Sequence, residues 1–71
     1  MMAEKRDLDF AAAAVGEVGM AWGHTQRALL HCRRCGIQQI IDQAVSLNEI
    51  GRRLEGIEEV LRRVYREAQQ G

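Results

Sequence analysis

From Leu8 to Cys32 the chain repeats an apolar or small residue at alternating steps of three and four: Leu8, Ala11, Val15, Val18, Trp22, Thr25, Leu29 and Cys32. On an α-helix these positions form one narrow stripe, like the seam of a coiled coil, whereas a half-buried strand needs a period of two. A second stripe with the same rhythm runs through Leu47, Ile50, Leu54, Ile57, Leu61, Val64 and Ala68. The sequence contains no proline, the residue that most often stops a helix. The pattern therefore predicts an all-α fold. It is expected to be an antiparallel helical hairpin within a single domain over residues 1–71, with helices at about 7–34 and 47–69.

The break between the helices is expected near Gly36. Arg33 and Arg34 precede it, where positive charge suits the negative end of a helix dipole, and glycine is the usual residue just past a helix end. Ile37, Ile40, Ile41, Ala44 and Val45 then begin a new apolar face. Residues 37–45 form either a short helix of their own or the first part of one long helix over 37–69. Ser46-Leu47-Asn48-Glu49 has the form of a capping box, which would start a helix with Ser46 as N-cap and Glu49 in its first turn. Glu49 with Arg53, Glu58 with Arg62, and Glu59 with Arg63 are acid-before-base pairs four apart. They mark a solvated outer face and contribute a few tenths of a kcal/mol each.

The first segment carries a complication. Gly16, Gly19 and Gly23 fall inside it, beside the stripe, and each costs about 1 kcal/mol relative to alanine in a helix. With Ala12 they recur at four, three and four, so they form either a smooth strip where another backbone packs closely or a point where the helix frays.

Length limits how much the fold can bury. A domain this small covers only about 60% of the surface its unfolded chain exposes, and commonly needs disulfides, a metal or oligomerisation. The only cysteines, Cys32 and Cys35, are three apart and would close a trivial loop. Self-association is the economical remedy: a homodimer of hairpins, hence a four-helix bundle. Its packing and self-contact are expected to use Val15, Val18, Trp22, Leu29, Ile50, Leu54, Ile57, Leu61 and Val64. Trp22 on the first seam is a natural core or anchor residue, and Tyr65 beside Val64 would sit at the margin of the second.

Ten basic residues balance ten acidic ones, so no net field favours nucleic acid or an anionic membrane. The apolar run Phe10–Val15 is too short for a membrane span and follows Asp7 and Asp9 instead of a basic leader. A cytoplasmic location with free thiols is the expectation.

Two constellations bear on chemistry. Cys32-Arg33-Arg34-Cys35 is a CxxC that closes a helix, whereas redox dithiols open one, where the dipole favours thiolate. His24, His31, Cys32 and Cys35 carry zinc-type donors on neighbouring sides of one helix, which makes zinc binding a second alternative function. One straight helix does not wrap a tetrahedron, however, since His24 stands ~10 Å along the axis from His31. No haem-attachment pattern is present, because Gly36 follows Cys35. No nucleophile–base arrangement appears, and no cofactor or catalytic activity is expected.

The stretch Ser46-Leu47-Asn48-Glu49-Ile50-Gly51-Arg52-Arg53-Leu54-Glu55-Gly56-Ile57 resembles the first helix and turn of bacterial helix-turn-helix proteins. The resemblance covers under half of the chain. It implies a DNA-binding unit over residues 37–68, turning at Gly56, with Arg52, Arg53, Arg62 and Arg63 (and Arg66) on backbone phosphates. The implied recognition helix departs from the pattern by opening with Glu58 and Glu59, which phosphates would repel. The leading expectation is thus a helical protein–protein interaction module, an adaptor or stoichiometric inhibitor of a larger protein. DNA binding is the first alternative.

Overall fold

The computed structural model describes residues 4–70 and contains only helices among them. α1 spans Lys5–Arg34, α2 spans Gln38–Ile41 and α3 spans Ala44–Gln70. α1 runs unbroken through Gly16, Gly19 and Gly23, so the glycines do not fray it. Asp7 lies in its first turn and His31, Arg33 and Arg34 in its last, each suited in sign to the helix dipole when the side chain is charged.

The helix stops at Cys35, whose backbone is extended (φ −72°, ψ 142°) and whose N–H donates to the Cys32 carbonyl at 3.3 Å. Gly36 is not a left-handed cap, because none of the described glycines has a positive φ. Ile37, also extended, leads into the single turn of α2, where the Gln38 side-chain amide donates to the Asp42 carboxylate at 2.7 Å. α3 begins before Ser46. The Leu47 N–H already donates to the Gln43 carbonyl at 3.0 Å, and Ala44, in the first turn, is buried. This start leaves Ser46 inside the helix and exposed, so it is not an N-cap.

α1 and α3 pack side by side in a hairpin-like arrangement. A methyl group on Gly51 would meet Thr25 and Gln26, and one on Gly19 would meet Glu58. Numbers rising on one helix thus meet numbers falling on the other, and the two run antiparallel. The molecule measures 53 × 16 × 12 Å, which is two helices wide and one helix thick. Its radius of gyration is 16.1 Å, against about 11 Å for a compact domain of this length.

The core of so thin a body is small. Leu29 (4% exposed) and Ala44 (8%) are the buried hydrophobic residues among those described. The inward row of α1 follows the sequence stripe: Leu8, Ala11, Val15, Val18, Thr25 and Cys32 are half-buried around Leu29, and Trp22 stands at the edge with 37% exposure.

The inward row of α3 does not follow its stripe. Leu47, Leu54, Leu61 and Ala68 face α1 as expected, but Ile50, Ile57 and Val64 remain 48%, 49% and 51% exposed. Buried Gly51 and half-buried Glu58 and Tyr65 take their places. The cause is close approach at Gly51, where a Cβ would lie 2.8 Å from the Gln26 side-chain nitrogen. A helix seated on that glycine is rotated by about one residue, which swings the β-branched row outward.

A candidate interaction face built from two heptad rows

Each helix carries a row one residue before its inward row. On α1 the inward residues Val15, Trp22 and Leu29 are preceded by Ala14, Ala21 and Ala28; on α3, Gly51, Glu58 and Tyr65 are preceded by Ile50, Ile57 and Val64. One residue back is a rotation of about 100°, in the same sense on both helices. Between antiparallel helices, equal rotations turn both rows toward the same broad side of the pair. Ala14, Ala21, Ile50, Ile57 and Val64 are exposed, and Ala28 is half-buried.

The opposite rotation leads to the other broad side. Gly16 and Gly23 follow the inward row of α1, Glu59 follows that of α3, and all three line one groove on the other broad side. The groove holds about 830 Å³ and is also lined by Val15, Gly19, Met20, Trp22, His24, Arg27, Glu55, Glu58 and Arg62. Its glycines are not packed against α3, since Cβ atoms on Gly16 and Gly23 would meet nothing within 4 Å. Glu58 pairs with Arg62 across one turn of α3, and its carboxylate lies over Gly19. Of the acid–base pairs anticipated along α3, this is the one formed within salt-bridge distance among the described residues. The hairpin-like pair therefore has one broad side that is apolar on both helices and one where glycines and apolar residues of α1 face charged residues of α3.

The apolar side is filled out by residues the sequence stripes did not select. Val60 is 47% exposed, and with Arg53, Gly56, Ile57 and Leu61 it borders a shallow depression of about 460 Å³ on α3. Val60 is a seam position only relative to the exposed row, being three on from Ile57 and four before Val64. Ala14, Ala21 and Ala28 recur at sevens, a signal readable only once the inward row is known.

The remaining sequence candidates are dispersed. His24 and His31 are exposed, and Cys32 and Cys35 are half-buried free thiols. The Cys35 sulfur accepts a hydrogen bond from the Ile37 N–H at 3.5 Å. Among the described residues no group of three or more His, Cys, Asp or Glu side chains is gathered to hold a metal ion. α3 continues through Gly56, so the turn implied by the helix-turn-helix resemblance is replaced by continuous helix. Arg52, Arg53, Arg62 and Arg63 are all exposed on that one helix. None of the described helices is long and apolar enough to cross a membrane. Comparison with protein-family models, with curated proteins and with solved structures finds no match.

Proposed function

We propose that this chain is a helical protein–protein interaction module, an adaptor or stoichiometric regulator that acts by contact and not by catalysis. One observation carries the reading: a broad apolar side, built from Ile50, Ile57 and Val64 beside Ala14 and Ala21, lies open over a core in which, among the described residues, only Leu29 and Ala44 are buried hydrophobics. Scattered exposed apolar residues are ordinary on protein surfaces, but a contiguous apolar side on a small protein marks an interaction surface. Heptad rows are the form in which one helix offers itself to another.

The test is reconstitution. A protein retained from host extract by the immobilised chain is identified, purified and titrated against the wild type and Ile57→Glu. A complex of fixed stoichiometry, weakened at least tenfold by the substitution, supports the reading. Equal affinity for both chains, or no retained protein, would sink it. Salt-sensitive duplex binding that weakens on changing Arg52 and Arg53 to alanine would favour a DNA regulator instead.

A further inference from the structure

We infer that the occupant of the apolar side is a second copy of this chain, seated face to face about a two-fold axis to close a four-helix bundle. This deepens the functional reading above and rests on it for the choice of surface.

A compact monomer of 8.0 kDa exposes about 4450 Å² by the scaling of surface with mass, whereas this chain exposes 5706 Å². The difference, about 1250 Å², exceeds the ~800 Å² that each partner contributes to a standard stable interface. A slab one helix thick has its surplus surface on its broad sides, and only one of those is apolar on both helices.

A two-fold contact needs a surface that matches itself when reversed. The α3 row Ile50–Ile57–Val64 is symmetric about Ile57, and the α1 row Ala14–Ala21–Ala28 is symmetric about Ala21. Gly19 faces Glu58 across the pair, which puts Ala21 and Ile57 at nearly the same height. Both rows therefore share one midpoint. An axis crossing the face there sets Ile50 against Val64 of the second copy, Ile57 against its equivalent, and Ala14 against Ala28 of the second copy. Small residues on α1 facing their own kind let the first helices approach closely. Branched residues on α3 fill the wider gap beside them. Large and small residues divided this way interdigitate without voids.

The experiment is light scattering at about 10 µM on the full chain, with helicity followed by circular dichroism. The wild type is expected at twice the chain mass. Ile57→Glu and Ala21→Glu, on different helices of the same side, are each expected at the single-chain mass. Glu59→Gln, on the groove side, should keep the doubled mass. Ala21 is exposed and glutamate is a good helix former, so Ala21→Glu keeps the test valid should Ile57→Glu fail to fold. A wild type at the single-chain mass overturns the inference, as does a doubled mass that survives both glutamates. A monomer that still binds a host protein through Ile57 would overturn the second copy and leave the proposed function standing. A two-chain particle that binds no protein would do the reverse.

Discussion

The two broad sides of this molecule differ by a rotation of two residues on each helix, and they have opposite characters. One presents Ala14, Ala21, Ile50, Ile57 and Val64; the other presents Gly16, Gly19 and Gly23 opposite Glu55, Glu58, Glu59 and Arg62. Both sides contain small residues on α1, so small size alone does not distinguish them. The residues facing them across the pair do: branched apolar side chains on one side, charged ones on the other. A smooth helical strip thus takes its meaning from its neighbour helix.

Removing the support that both sides share gives the largest expected effect. Leu29 is the most buried apolar residue described, and Leu29→Ala should cost about 3 kcal/mol, measured by urea denaturation. A loss under about 1 kcal/mol would show that the helices are held by something other than their mutual core.

Gly51→Leu should cost about 2 kcal/mol by forcing the helices apart. Gly51→Ala should be nearly neutral, because the atom it meets at 2.8 Å is the mobile end of Gln26 and alanine improves helix propensity. Equal melting temperatures for the two variants would refute the claim that close approach at Gly51 sets the rotation of α3.

The groove side offers the converse test. Gly16→Ala and Gly23→Ala place methyl groups in open space, and each should stabilise the fold by about 1 kcal/mol. Destabilisation by either, in a thermal melt, would mean that the groove is closed by another backbone and that the contrast between the sides is false.

The smallest effect belongs to Arg62→Ala. Its partner Glu58 is a half-buried side chain (18% exposed), but Arg62 itself is 61% exposed, so the screened pair should be worth only about 0.5 kcal/mol. A double-mutant cycle with Glu58→Gln measures it, and a coupling above about 1.5 kcal/mol would make the groove side a structural element in its own right.

Much of the fold was legible in the sequence. The α1 stripe predicted which residues of that helix turn inward, because alanine, valine and leucine at steps of three and four leave little choice of face. α3 was harder because it carries two overlapping stripes. Leu47, Leu54 and Leu61 belong to both, and the strength of Ile50, Ile57 and Val64 as hydrophobes drew the reading toward the outer one. The inner one contains Gly51 and Glu58, residues no hydrophobic pattern selects. Their placement depends on how closely α1 approaches and on the space over Gly19, which are facts about two helices at once. Helix starts were obscured for a related reason. Ser46 has the chemistry of a cap, but burial of Ala44 draws the helix back past it.

The distribution of burial along the long axis has a kinetic meaning. Leu29, Ala44 and Gly51, the buried residues among those described, lie toward the connector end, whereas Phe10 near the opposite end is 70% exposed. The loop that must close to join α1 and α3 is also shortest at the connector, where ordering the intervening chain costs least entropy. Formation and opening are thereby given a direction. The pair closes from the turn outward and opens from the tips inward, with amide hydrogens near Leu29 the last to exchange and those near Phe10 among the first.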